Sequence, residues 1–316
     1  MALTEIDICI CTHNPRRPVF TKVLESIARQ DLKDCDVEVI IIDNNSDEPV
    51  KDRDCSPLVS AGLRYRVVRE NRLGNVFARA RAIMESRAHW ILFVDDDNEL
   101  MPNYLRIGID IIKTRSDIGC FGGRLLASNC LQPKGWILPF LPHLAIRDFG
   151  DEEITSVADH WGPWEPATAG AFVRRPVLDL YLQRIRKDRL AHMLGRKGSK
   201  SLNSCEDSLL MYGSHSLGLA NSYQPRLALI HHIRPSRLRF AYMFRLLMGY
   251  GRSEIILDRL CGRPMPRAES FVQVSLRLMR SFAAEARRSS LPYACCMAAY
   301  RAAREWESRK VVEREP

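Results

Sequence analysis

Three adjacent carboxylates, Asp95-Asp96-Asp97, follow directly on the apolar run Trp90-Ile91-Leu92-Phe93-Val94, with no lysine or arginine interleaved. Like charges this close repel one another, so the arrangement gains most from recruiting something positive. Hard divalent ions such as Mg²⁺ or Mn²⁺ take oxygen ligands, typically one or two carboxylates together with substrate phosphates. Other reactive side chains also stand just past short β-type runs. Thr12-His13-Asn14 follows 6–11, Asp43-Asn44 follows 37–42, and His231-His232 follows 227–230. Glu206-Asp207 comes after Ser204-Cys205 and is equally suited to opening a helix. The chemistry these groups could share is metal-assisted handling of a phosphorylated substrate. The bland alternative is an acidic turn capping a helix that begins near Met101-Pro102.

Such groups need a scaffold. An unbroken apolar run reads as a strand buried on both faces of a mostly parallel sheet. Strands are predicted at 6–11, 37–42, 63–69 and 90–94, with helices over about 18–29, 75–86 and 102–115. Strands alternating with helices of this length predict βαβ units and an α/β class. Ligands of open α/β sheets sit beyond the carboxyl ends of the strands, where the acids and amides lie. Residues 128–166 hold five prolines and three tryptophans without periodicity. A long irregular stretch in a compact domain is usually functional or disordered, and its tryptophans, Trp161 and Trp164 among them, favour the first, having the flat apolar faces that suit sugar stacking. Residues 167–173 read as a small-residue strand before a helix from Pro176, 187–204 as a mobile loop, and 227–230 as the last strand. From Pro235 onward only helices are predicted, among them about 268–289 and 293–310.

Composition narrows the classes. At 316 residues, 46% hydrophobic and 27% charged, the chain can bury one large core or one α/β domain with a helical extension. It has no apolar run of about 18 residues, so no transmembrane helix is expected. The start MALTEIDICIC lacks the basic opening and small-residue cleavage site of a signal peptide, so a cytoplasmic chain is expected. Ten cysteines without paired metal-ligand spacing read as reduced thiols. The net charge of +9 is uneven: residues 226–316 hold 18 Lys/Arg against 8 Asp/Glu. A basic helical tail of this kind points to an anionic partner: a membrane surface, a pyrophosphate-bearing acceptor or nucleic acid.

In their order along the chain, Thr12-His13-Asn14, Ile42-Asp43-Asn44-Asn45-Ser46, Asn71-x-x-Gly74 with Ala78-Arg79, Asp95-Asp96-Asp97, Gly170-Ala171, Glu206-Asp207 and the histidines near 231 resemble glycosyltransferase family 2. The resemblance covers roughly residues 5–235. It implies a GT-A fold, a mixed and mostly parallel sheet flanked by helices, here with a C-terminal all-helical extension. It divides the chain into a domain of residues 1–235, with a nucleotide-binding half (1–100) and an acceptor half (101–235), and a basic extension at 236–316. Thr12, His13, Asn14, Asp43, Asn44, Asn71, Arg79, Asp95 and Asp96 then fall in the nucleotide site. Asp97 matches the family's metal ligand, Asp95 touches ribose or metal, and either His231 or His232 completes the shell. An aspartate is common in the family where Asn44 stands, which leaves the donor base open among UDP, GDP and dTDP. Asp207 matches the base that deprotonates the acceptor, with Glu206 orienting that acceptor or serving as base if the register slips by one. Gly170, Ala171, Trp161 and Trp164 line the acceptor side.

The implied activity is a metal-dependent, inverting sugar transfer from a nucleoside diphosphate to a saccharide. Its cofactor would be Mg²⁺ or Mn²⁺. A lipid-linked acceptor in surface polysaccharide or lipopolysaccharide synthesis is expected, with the chain peripheral on the inner face of the plasma membrane. Two rivals stand beside it. A nucleotidyltransferase would need a glycine-rich phosphate loop after the first strand, and Thr12-His13-Asn14-Pro15-Arg16-Arg17 has no glycine. A non-enzymatic polyanion- or nucleic-acid-binding protein would explain the tail but not the three acids. No nucleic-acid signature is present, so no nucleic acid is expected as partner.

Overall fold

The β-branched runs near the N-terminus pair as parallel strands, the packing that residues apolar on both faces require. The computed structural model describes residues 4–33, 35–128, 131–157, 162–198, 201–265 and 270–313. Strand β1 (Thr4–Thr12) leads through α1 (Arg17–Ala28) to β2 (Cys35–Asp43), and α2 (Ser56–Ser60) leads to β3 (Arg64–Arg69). Helix α3 (Asn75–Glu85) returns the chain to β4 (Trp90–Asp95). Strand β1 sits between β2 and β4, parallel to both, and β3 adds outside β2. Helix α1 has a proline in its first turn, where the missing N–H costs nothing. It buries Phe20, Val23, Leu24 and Ile27 at helical spacing.

Past the acids come β5 (Asn98–Leu100), α4 (Tyr104–Thr114), β6 (Ile118–Ala127), a 3₁₀ helix at Gly135–Leu144 and β7 (Ile154–Ser156). They are followed by β8 (Ala171–Arg174), α5 (Arg175–Lys187), a 3₁₀ turn at Arg189–Met193, α6 (Glu206–Ser216) and β9 (Ala220–His231). Among the described residues these strands make one sheet, ordered β3-β2-β1-β4-β8-β6-β9-β5, with β7 on β9. It is parallel through β3-β2-β1-β4 and again between β6 and β9, and antiparallel at β8, β5 and β7. This is the mixed, mostly parallel sheet flanked by helices that the family resemblance implies. Tyr104, Phe172 and Phe121 stack in its core, with ring centroids 6.1 and 4.7 Å apart.

Several expectations need correction. The 128–166 stretch is not irregular throughout, since it holds the 3₁₀ helix and β7. The expected loop at 187–204 contains a 3₁₀ turn and a Lys197–Ser201 bridge. The last strand begins at Ala220 rather than 227, because Asn221, Ser222 and Gln224 are buried and hydrogen-bonded within the sheet. Strand β5 was not predicted at all.

The chain divides into two compact units. One comprises Met1–Cys130, Pro142–Arg184 and Leu210–Ile233, and holds the whole sheet. The other comprises Leu131–Leu141, Ile185–Leu209 and Arg234–Pro316. In the latter, α7 (Phe240–Leu260) and α9 (Leu291–Glu313) pack so closely that a Cβ on Gly251 would run into the Tyr300 carbonyl. Helix α8 (Phe271–Arg288) is tied to α9 by ion pairs Arg277–Glu305 at 2.6 Å and Arg301–Glu285 at 2.7 Å. Among the described residues no helix is long and apolar enough to cross a membrane.

Candidate functional site

The sheet register places the candidate residues at one edge. Thr12 pairs with Asp43, Cys11 with Asp95, and Asp43 with Arg69, so β1, β2, β3 and β4 end together. The Thr12 hydroxyl donates to the Asp96 carboxylate across this edge. Burial pushes the Cys11 thiol up to about 12, and the nearby Asp95 and Asp96 charges add to this while Arg79 opposes it. Cys11 therefore stays a thiol among the acids.

The three acids have separate partners. Asp95 faces Arg79 of α3, whose guanidinium lies 3.8 Å away and also donates to the Thr168 hydroxyl. Asp97 presents Oδ1 to His231 Nε2 at 3.2 Å and Oδ2 to Arg16 at 3.9 Å. Arg16 also donates to the His232 carbonyl. Strand β5 creates this meeting: it pairs antiparallel with β9, Asn98 opposite His231, and so lays the end of β9 beside the acids. His232 turns instead to Glu99, 2.8 Å away. Between the two histidines left open by the sequence, the geometry thus puts His231 at the acidic triplet.

The hydrogen bonds of His231 bear on whether a cation fits here. Its Nδ1 lies 3.1 Å from the Ala145 carbonyl, which can only accept, so Nδ1 carries a proton. That turns Nε2, the metal-binding nitrogen of a neutral imidazole, toward Asp97 Oδ1. A nitrogen lone pair and a carboxylate oxygen at such a separation repel unless a cation or a proton lies between them. A carbonyl holding the far nitrogen is also the usual support of a metal-ligating histidine. Among the described residues no group of three or more His, Cys, Asp or Glu is arranged around one point. The Asp97 and His231 pair by itself offers one oxygen and one nitrogen donor, which fits a divalent ion whose other ligands are phosphate oxygens.

Beside the acids lies a hydrogen-bonded wall. Asp43, 1% exposed, accepts from the Ser46 and Val50 backbone at 2.9 and 2.8 Å and so shapes its own loop. Asn44 donates to the Glu70 and Arg72 carbonyls at 3.3 and 2.7 Å, and accepts from Gly74 N at 2.8 Å. His13 Nδ1 donates to the Asn44 carbonyl, 2.9 Å away. Asn14, at φ +53°, exchanges two 2.9 Å hydrogen bonds with Asp47. Asn71 stands exposed on the rim. An amide at 44 can donate to two carbonyls at once, which an aspartate cannot. Asn44→Asp should therefore cost about 1–3 kcal/mol of stability, read as a lowered denaturation midpoint at unchanged m-value.

On the other side, Gly170 has φ +75°, and a Cβ there would lie 2.5 Å from the Tyr104 hydroxyl, which donates to the Gly170 carbonyl. Only glycine meets both demands. Ala171 is fully buried opposite Phe93 of β4. Trp164 is half-buried and lines a small cleft with Arg147, Phe149, Glu165 and Tyr223. Trp161 lies outside the described residues. In the second unit, Glu206 and Asp207 form the first turn of α6, where the helix dipole favours acids. Glu206 is buried, whereas Asp207 is half-buried and accepts from Ser208 N at 2.9 Å. Sequence reasoning missed Arg16, Thr168 and the Glu99–His232 pair as neighbours of the triplet. The hydrogen bonds that hold them join residues 89 to 216 apart in the chain, beyond any local pattern.

Comparison with known proteins completes the description. The profile of Glycosyl transferase family 2 matches residues 7–179, over half of the chain. Among solved structures, S. aureus TarS aligns with 96% of this chain at 14% identity and TM-score 0.52. The chain spans 55% of that TarS chain's length. The shorter S. aureus TarS 1-349 aligns with 97% of this chain and 92% of its own. Its complex with UDP-GlcNAc gives 15% identity and TM-score 0.51. The complex with UDP gives 15% identity and TM-score 0.50, with the same coverage. At such identities the likeness establishes the fold. A search of curated proteins finds no match.

Proposed function

This chain belongs to glycosyl transferase family 2, and from that premise we propose that it is a metal-dependent, inverting enzyme using a nucleoside-diphosphate sugar. The observation that carries the reading is the meeting of Asp97 Oδ1 and His231 Nε2 at 3.2 Å, beside Asp95 and Arg79 at the carboxyl edge of the sheet. Asp97 and His231 would hold Mg²⁺ or Mn²⁺. When bound, the ion supplies Lewis-acid stabilisation of the charge gathering on the departing nucleoside diphosphate. Arg79, fixed by Thr168, steadies the diphosphate by charge. The loops tied together by Asn14, Asp43 and Asn44 form a rigid wall against which base and ribose rest. Asp207 takes the proton of the acceptor hydroxyl, and Glu206 orients that acceptor. Direct displacement with one base inverts the anomeric centre. TarS has been crystallised with UDP and UDP-GlcNAc, so UDP-sugars are the first donors to test. The acceptor is a saccharide, and the basic helical unit favours a lipid-linked one, made on the cytoplasmic side for surface polysaccharide or lipopolysaccharide.

A thermal-shift screen of UDP-, GDP- and dTDP-sugars with Mg²⁺, Mn²⁺ or chelator tests this reading. Binding to the native state stabilises it by RT ln(1 + [L]/Kd). One nucleotide class should raise Tm in metal and lose that rise in chelator. Shifts with polyanions but with no nucleotide sugar would favour a non-catalytic binding protein instead.

A further inference from the structure

Helix α8 carries two faces of different character. One side, with buried Val274 and half-buried Leu278 and Phe282, belongs to the packing of the helical unit, and there Arg277 and Glu285 pair with α9. On the other side Val272, Leu276, Met279 and Ala283 recur at i, i+4, i+7 and i+11, one stripe along the helix. Val272, Leu276 and Met279 are 65%, 44% and 60% exposed, and Phe271 at the helix start is 75% exposed. A surface helix ordinarily turns such a stripe inward, and an exposed one marks a surface that meets something apolar. Arg280 and Arg287 follow one border of the stripe at helical spacing, exposed and without an ion pair among the described residues. The one acid of the helix, Glu285, is on the inward side, bound to Arg301.

We propose that α8 docks this chain on an anionic lipid surface. The helix lies in the plane of the interface, with Val272, Leu276 and Met279 among the acyl chains and Arg280 and Arg287 at the headgroup phosphates. Charge decides the occupant. An apolar stripe alone would suit many partners, but one bordered by arginines, with no acid beside it among the described residues, matches a surface both apolar and negative. The surrounding sequence has the same sign, 18 Lys/Arg against 8 Asp/Glu over 226–316. A second copy of the chain is disfavoured, because an antiparallel two-fold contact through this stripe sets its arginine border against the same border of the copy. The proposal does not depend on the sugar-transfer reading.

The test is co-sedimentation of the full chain with phosphatidylcholine vesicles, with and without phosphatidylglycerol. Wild type should bind only the anionic vesicles. The double variant Leu276→Glu/Met279→Glu should bind them about tenfold or more weakly. Arg280→Gln and Arg287→Gln should each cost about fivefold. All these positions are solvent-exposed, so circular dichroism and Tm should stay at wild-type values. Three results would overturn the proposal: unchanged binding by the double variant, equal binding to neutral vesicles, or a wild-type dimer that the same substitutions turn into a monomer. The last would mean that a second copy covers the stripe. Sugar transfer to a short soluble acceptor should persist in these variants, which separates loss of docking from loss of catalysis.

Discussion

Asp97→Asn should lower kcat by about 10³-fold while leaving the fold intact. The substitution keeps shape and removes charge. Its amide nitrogen can donate to His231 Nε2, which lies 3.2 Å from Asp97 Oδ1, so the local geometry should survive. The backbone is held independently, since the Asp97 carbonyl accepts from His232 N at 2.8 Å. What disappears is one of the two protein donors facing the expected ion, and with it the stabilisation of the leaving diphosphate. Several kcal/mol of transition-state stabilisation corresponds to the stated factor. Steady-state transfer from a radiolabelled donor, with Tm measured in parallel, checks this expectation. A variant of equal activity would show that the triplet does not serve the reaction.

Asp207→Asn should lower kcat by about 10²–10⁴-fold and leave the binding of nucleoside diphosphate unchanged. A hydroxyl is a poor nucleophile until a base takes its proton, and the amide cannot do so. Asp207 belongs to the first turn of α6, not to the strand-end cluster that we assign to the donor, so nucleotide affinity should not follow activity. The half-buried Asp207 is more accessible than the buried Glu206, and Glu206→Gln should therefore cost less in kcat. Pre-steady-state transfer alongside calorimetric nucleotide binding resolves the two effects. A larger loss in Glu206→Gln would move the base assignment one residue back.

The strand ends that carry the proposed donor residues were legible because their signals are local. A two-faced apolar strand announces itself in five residues, Trp90 to Val94, and its acids follow at once. The parallel pairing of β1, β2, β3 and β4 was likewise legible in their alternation with helices, whereas their order in the sheet was not. The histidine was legible only as a pair. Choosing between His231 and His232 required β5, three residues long, too short to show any periodicity and defined only by pairing with β9. Asn44 was readable as a polar strand end but not as a clamp, because its partners Glu70, Arg72 and Gly74 belong to another loop. The start of β9 was hidden because Asn221 and Ser222 are polar. They are buried within hydrogen-bonding networks that include Glu165 and Thr155, and no hydropathy pattern anticipates these. Gly170 was noted for permitting close approach, and the close neighbour is the Tyr104 hydroxyl inside the core.

The central claim is that Asp97 and His231 grip a divalent ion through which the nucleotide is held. Calorimetric titration of UDP, or of whichever nucleoside diphosphate the donor screen selects, tests it most directly when run in Mn²⁺ and in chelator. Wild type should bind at least about tenfold more tightly in Mn²⁺, and that difference should vanish in both Asp97→Asn and His231→Gln. Equal affinity in chelator, or a metal effect that survives both substitutions, would contradict the account.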